Sequence, residues 1–120
     1  MMACPLDPQV PVLVVEPEGG LARRFGQSHA FSVYGNGAVG PFIVIDASVV
    51  RQPWFTDDHL LVLIAHELAH ILRHSRDELQ ADLLALRLLL EHGHLGAYAL
   101  LLEEHRRRLA TDWYEHPLAA

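Results

Sequence analysis

The residues best suited to chemistry in this chain are His66, Glu67 and His70, in the run His-Glu-Leu-Ala-His. On a helix, residues four apart lie on one face about one turn apart, so two imidazoles at this spacing can bind one metal ion. Glu67 lies beside them, where its carboxylate can take a proton from a water whose pKa zinc lowers to ~7. Burying these groups is costly unless a metal ion or a hydrogen-bond network satisfies them. The pattern predicts a hydrolytic zinc site.

A hydrolytic zinc site needs a third protein ligand and one open position. His74 continues the four-residue spacing, but on an unbroken helix it would lie ~12 Å from His66, too far for one ion to bind both. Glu78 is the better third ligand, because it lies near the start of the next helix. Asp82 follows it by one turn and is placed to hold a ligating imidazole through the other ring nitrogen. The alternative is that Glu78 only caps its helix and that Asp82 is a solvated charge.

Helices in the second half of the chain must position these groups. Thr56, followed by two aspartates, predicts a helix start, and the apolar residues after it predict a helix that ends near His74. Residues 75–78 fit a capping box that would begin a second helix, and Gly93 is placed to end it. A third helix fits residues 95–109. The arginine run at 106–108 is interpreted as its solvated end, where positive charge complements the helix dipole.

The first half of the chain predicts three short strands, over residues 11–15, 29–34 and 41–45. The last is continuously apolar, which is typical of a strand buried on both faces. In the middle one, Phe31 and Val33 alternate with Ser32, which predicts one solvated face. A sheet followed by helices predicts an α+β fold: a small three-stranded sheet, an active-site helix, a glutamate helix and a closing helix. Residues 1–120 are expected to form one domain.

Composition narrows the function classes. The chain is 51% hydrophobic with a formal charge of −6, so it is globular and a poor nucleic-acid binder. Cys4 is the only cysteine, which excludes an internal disulfide and a cysteine-based zinc cluster. Neither a signal peptide nor a membrane span is recognisable, so a cytoplasmic protein without membrane partners is expected. Residues 83–90 hold more leucine than one small core can bury, which favours a homo-oligomer or a bound partner.

The motif residues resemble those of the gluzincin metallopeptidases. His66 to His70, with Glu78-Leu79-Gln80-Ala81-Asp82, is similar to that family's histidine motif and its Glu-x-x-x-Asp motif. The Ala-Asp ending resembles the CAAX prenyl protease-like branch, whose order of elements the chain follows from His29 to Leu86. The short length resembles the minigluzincins.

This resemblance implies a zincin-like fold and peptide hydrolysis. It implies zinc held by His66, His70 and Glu78, with Glu67 as general base and acid. It implies that Asp82 does not bind the metal but holds a ligating imidazole through the other ring nitrogen. It also implies that a peptide or protein substrate lies along the sheet's edge strand, over residues 29–34.

The chain departs from the family in two respects. Only seven residues separate His70 from Glu78, fewer than is usual, so the chain must reverse without glycine or proline. The membrane spans of larger members are absent, so membrane substrates are not expected. One alternative is a latent or non-catalytic zinc-binding module that regulates or binds a partner. Another is an antirepressor-cleaving metalloprotease, although those usually place Asn where Asp82 stands.

Two further groups of residues remain open in function. An anionic intermediate needs a stabilising side chain, and four downstream residues are placed to serve, although none matches a motif: Arg87, His92, His94 and Tyr98. The tail over 111–117 carries Trp113 and Tyr114. These aromatics either pin the terminus onto the core or belong to a segment that folds over the cleft and keeps the enzyme latent.

Overall fold

The computed structural model describes residues 2–16, 30–35 and 38–115. Its strands are β1 (Met2–Cys4), β2 (Asp7–Val15), β3 (Ala30–Val33) and β4 (Phe42–Asp46). Its helices are α1 (Ala47–Val50), α2 (Asp57–Arg73), α3 (Glu78–Glu91) and α4 (Leu95–Ala110). The predicted α+β class is confirmed. His29, the first residue of the predicted middle strand, lies outside the described residues.

The sheet is mixed and has four strands in the order β1-β2-β4-β3. β2 and β4 run parallel, whereas β1 and β3 each pair antiparallel with their neighbours. The predicted three-stranded sheet was therefore wrong. β1 is only three residues long, too short to show a periodic pattern, and its pairing with β2 alone makes it a strand. β3 lies at the opposite edge of the sheet.

The buried face of β3 is the reverse of the one predicted. Ser32 is 2% exposed, while Phe31 and Val33 are only partly buried. The serine can face inward because its hydroxyl and carbonyl both accept hydrogen bonds from Arg76. The prediction for β4 is confirmed, because its three central residues, Ile43 to Ile45, are fully buried.

Helix α2 begins as predicted. Thr56 Oγ1 accepts a hydrogen bond from the His59 amide at 3.3 Å, and His59 Nδ1 accepts one from the Thr56 amide at 3.2 Å. Asp57 and Asp58 occupy the first turn, where negative charge complements the helix dipole. The helix ends at Arg73, as the sequence indicated.

The reversal after α2 uses a left-handed residue that is not glycine. His74 has φ 50° and ψ 45°, and its amide donates to the Ile71 carbonyl at 3.1 Å. The predicted capping box at 75–78 was wrong in detail. The cap of α3 is Asp77, whose carboxylate accepts from the Gln80 amide at 3.0 Å, while Ser75 Oγ accepts from the Asp77 amide. Gly93, with φ +75°, follows the end of α3 as predicted.

One hydrophobic core joins the sheet to all three long helices. Its largest fully buried members include Ile43 and Ile45 of β4, Ile64 and Leu68 of α2, Leu89 of α3 and Leu101 of α4. The leucine-rich helices still leave apolar side chains outside it: Leu83 and Leu90 are 44% and 52% exposed. No described helix has both the length and the apolar character needed to cross a bilayer.

Candidate metal centre

Three side chains predicted as metal ligands converge at one point. His66 Nε2 lies 2.9 Å from Glu78 Oε2, His70 Nε2 lies 2.9 Å from Glu78 Oε1, and the two Nε2 atoms are 3.1 Å apart. Tetrahedral ligands ~2.0–2.1 Å from a zinc ion would be about 3.3 Å from one another. Among the described residues, these three form the one group of histidine, cysteine and carboxylate side chains able to hold a metal ion.

The other ring nitrogens fix the tautomers of the two histidines. His66 Nδ1 lies 2.6 Å from Asp82 Oδ1, and His70 Nδ1 lies 2.7 Å from the Ser75 carbonyl oxygen. Carboxylate and carbonyl oxygens only accept hydrogen bonds, so each Nδ1 carries the proton and donates it. In the neutral ring, each Nε2 then presents a lone pair. Two nitrogen lone pairs and a carboxylate meet, and a cation between them satisfies all three, so these residues fit zinc.

The electrostatics of the site favour positive charge. Burial lowers the pKa of His66, but hydrogen bonds to Asp82 and Glu78 outweigh it and raise that pKa to about 10. For His70, burial also lowers the pKa, and the bonds to Glu78 and to the Ser75 carbonyl raise it overall. Burial raises the pKa of Glu78, yet its two imidazole partners hold that pKa well below its usual range. Protons or a metal ion can supply the positive charge that these groups stabilise.

Glu67 lies beside this group without belonging to it. It is 8% exposed, and burial raises the pKa of its carboxyl, against the opposing influence of the nearby histidines His66 and His70. A hydrogen bond from the Ser32 hydroxyl acts in the same direction as the histidines. A buried carboxyl with raised proton affinity, next to a group that could hold a metal ion, is suited to accept a proton and return it.

Asp82 is fully buried, so the interpretation of it as a solvated charge does not apply. Its Oδ1 accepts from His66 Nδ1, as the sequence predicted for a residue behind an imidazole. Its Oδ2 accepts from Arg108 Nη1 at 2.7 Å and from the Tyr114 hydroxyl. Burial raises the pKa of Asp82, but the bond to His66 and the charge of Arg108 hold it below its usual range.

Arg108 and Tyr114 are the site residues that sequence reasoning missed. The arginine run was interpreted as a solvated helix end, which is wrong for Arg108: its side chain is 20% exposed and paired with Asp82. A signal was present, because Leu101, His105 and Arg108 follow the three- and four-residue spacing of the buried face of α4. The arginine lies one turn beyond the last buried residue of that face.

The described part of the tail packs behind Asp82. His105 Nδ1 donates to the Tyr114 hydroxyl oxygen at 2.5 Å, and the Arg108 guanidinium lies 4.2 Å from the centre of the Trp113 ring. Trp113 and Tyr114 thus attach the described segment after α4 to Arg108, His105 and Asp82. His116 and Pro117 lie outside the described residues.

The loop between α2 and α3 is attached to the edge strand. Arg76 Nη1 and Nη2 donate to the Ser32 hydroxyl and carbonyl oxygens at 3.0 and 2.9 Å. The same guanidinium lies 4.3 Å from the centre of the Tyr34 ring, and the His74 ring stacks against Tyr34 at 4.6 Å. His74 therefore packs on Tyr34, the residue that directly follows β3, and does not belong to the group of three that could hold a metal ion.

The four residues considered for stabilising an anionic intermediate have structural contacts elsewhere. Arg87 pairs with Glu91 on the surface of α3, and the His92 ring bonds the Leu88 carbonyl. The His94 carbonyl accepts the amide of Tyr98, whose ring packs against the core. These contacts give each residue a role in the ends or the packing of α3 and α4.

Comparison with known proteins identified no relative of this chain. No protein-family model, no curated protein and no solved structure matches this chain. The similarity to gluzincins is therefore limited to the motif residues. The structural support for a function is the convergence of His66, His70 and Glu78.

Proposed function

We propose that this chain is a zinc-dependent peptidase of the gluzincin type, with His66, His70 and Glu78 as the metal ligands. The observation that carries the proposal is the convergence of two imidazole Nε2 atoms and a carboxylate beside the buried Glu67. Zinc at this position would lower the pKa of a water molecule and polarise the carbonyl of a peptide bond.

Glu67 is the proton carrier in this proposal. Burial raises its affinity for a proton, so it takes one from the attacking water as the new carbon–oxygen bond forms. It then gives that proton to the amine nitrogen as the carbon–nitrogen bond breaks. No net proton remains on the side chain after the bond is cleaved, so the residue is ready for another cycle.

Two acceptors orient the ligands. Asp82 holds the Nδ1 proton of His66, and the Ser75 carbonyl holds that of His70. Each contact keeps an Nε2 lone pair directed at the shared point, and partners of this kind also raise the basicity of a ligating imidazole. The chain thereby reduces the entropic cost of assembling the site.

The edge strand β3 is the proposed place for a substrate peptide. It lies at one edge of the sheet, it packs against α2, and the Ser32 hydroxyl bonds the catalytic candidate Glu67. An extended peptide binds an exposed sheet edge through main-chain hydrogen bonds. Because Arg76 Nη2 already donates to the Ser32 carbonyl, a peptide that pairs with this carbonyl must either share that oxygen with the guanidinium or displace it.

A latent or non-catalytic zinc-binding module for regulation or interaction is the second candidate. Two observations favour it: Arg76 occupies part of the strand edge, and α3 exposes Leu83 and Leu90. Both candidates need the three metal ligands, but only an enzyme needs Glu67.

The test compares the wild type with Glu67→Gln by metal analysis and by cleavage of a peptide library. We expect one zinc per chain in both proteins and cleavage by the wild type alone, because Glu67 moves protons and does not hold the metal. Zinc in both proteins without cleavage by either would favour the non-catalytic module. Absence of zinc from the wild type would contradict the ligand assignment, and equal cleavage by both proteins would remove Glu67 as the base.

A further inference from the structure

Asp82 connects the candidate metal centre to the last turn of α4 and the segment that follows it. Its fully buried carboxylate accepts three hydrogen bonds, one from His66 and two from the last part of the chain, Arg108 and Tyr114. The two sets use different oxygens: His66 bonds Oδ1, whereas Arg108 and Tyr114 bond Oδ2.

The contacts at Oδ2 stabilise the charge of the Asp82 carboxylate and fix the direction of Oδ1. A fully buried carboxylate requires a partner of opposite charge, because an unpaired buried charge is strongly destabilising. Arg108 supplies that charge whether or not the His66 ring is protonated. Two donors on Oδ2 also restrict rotation of the carboxylate about its Cβ–Cγ bond, which leaves Oδ1 directed at the His66 ring.

We propose that Arg108 and Tyr114 are positioning residues of the metal centre, which hold Asp82 so that His66 presents Nε2 to the ion. The inference rests on the metal ligands of the proposed function. It extends the metal centre from the two motif helices to α4 and the segment that follows it.

The surroundings of Arg108 distinguish it from a surface arginine. Trp113 covers the guanidinium at 4.2 Å, and Glu104 Oε1 lies 3.3 Å from Nε. Tyr114 is held in turn by His105 at 2.5 Å. The neighbouring Arg107 contrasts with this arrangement: its side chain is 60% exposed and pairs with Glu104. Arg107 is therefore a matched control.

The experiment measures zinc affinity by competition with a chromophoric chelator. The variants are Arg108→Met, Arg108→Lys and Tyr114→Phe, and the controls are Arg107→Met and Tyr98→Phe. We expect Arg108→Met to weaken zinc binding on the order of 10–100-fold, the usual cost of losing a partner behind a ligand. Tyr114→Phe should weaken it less, Arg108→Lys should restore part of the loss, and the controls should match the wild type.

A second measurement separates positioning from general stability. The visible absorption spectrum of the cobalt(II)-loaded protein reports the ligand geometry at the metal, and it should change in Arg108→Met but not in Arg107→Met. Tyr114→Phe removes a single oxygen atom. If Arg108→Met does not fold, the zinc affinity and the cobalt spectrum of Tyr114→Phe test the inference in its place.

The outcomes distinguish this inference from the function on which it rests. A wild type that binds zinc, with wild-type affinity and cobalt spectrum in Tyr114→Phe and Arg108→Met, would overturn the inference alone. Equal losses in the control variants would also overturn it, because they would indicate a general effect on folding. A wild type that does not bind zinc would overturn the metal centre itself.

Discussion

The sharpest prediction concerns Asp82→Asn, which keeps the shape of the side chain and changes one acceptor into a donor. Asp82 accepts at both oxygens, from His66 on one side and from Arg108 and Tyr114 on the other. An asparagine offers one oxygen and one NH₂ group, so it cannot satisfy both sides.

Either orientation of the new amide has a cost. With its oxygen toward His66, the NH₂ group faces two donors, and the positive charge of Arg108 loses its buried partner. With its NH₂ group toward His66, the ring must accept at Nδ1. The imidazole proton then moves to Nε2, the atom that is needed for the metal.

The expected losses of zinc affinity and of folding stability follow from these two effects. Loss of a partner behind a ligand typically weakens metal binding ~10–100-fold, which corresponds to about 1.4–2.7 kcal/mol. Breaking a buried charge pair by removing one partner destabilises a fold by about 3–5 kcal/mol. Asp82→Asn should therefore lower both the zinc affinity and the melting temperature of the metal-free protein.

The assay pairs chelator competition with thermal denaturation, and Glu104→Gln is the control. Glu104 also contacts Arg108, but its side chain is 33% exposed and bonds Nε, not the Nη1 atom that donates to Asp82, so this change should alter zinc affinity far less than Asp82→Asn. Wild-type zinc affinity in Asp82→Asn would refute the assignment of Asp82 as the residue that sets the His66 tautomer.

Two further predictions concern the ligands themselves. Glu78→Ala should lose zinc in metal analysis and His74→Ala should retain it, and the opposite result would reverse the ligand assignment. For the metal-free protein, folding raises the pKa of His66 from 6.5 to about 10, so this stabilisation is complete below pH 6.5 and is lost as pH rises through 10. Melting temperature without metal should fall between pH 6.5 and 10, while the thermal shift caused by zinc should grow; a metal-free melting temperature that rises with pH would contradict this.

The sequence predicted those parts of the site that depend on local spacing. The stacking of His66 and His70 follows from the pitch of a helix, and the short connection to Glu78 brings the next helix back to the same point. The helix starts and ends at Thr56 and Gly93 were also predictable, because capping chemistry is local.

The remainder depended on contacts between distant segments. Ser32 faces inward because Arg76, 44 residues later, satisfies it, and no local pattern can indicate such a partner. Arg108 was obscured by its neighbours, since a run of three arginines at a helix end is typical of a solvated surface. β1 depends on pairing with β2, which three residues cannot reveal by themselves.

The loop at 74–77 contacts both the edge strand of the sheet and the candidate metal centre. Arg76 bonds Ser32 of β3 and His74 packs on Tyr34, the next residue after the strand. The backbone carbonyl of Ser75 accepts a hydrogen bond from the ring of His70. His74 adopts the left-handed conformation without being glycine, which is costly, so the contacts around this turn must hold it in place. In the proposed function, a peptide that displaces β3 would also move this loop and, through the Ser75 carbonyl, the ring of a metal ligand. If occupancy of the strand edge changes metal affinity by some factor, metal binding must change the affinity for the edge's occupant by the same factor.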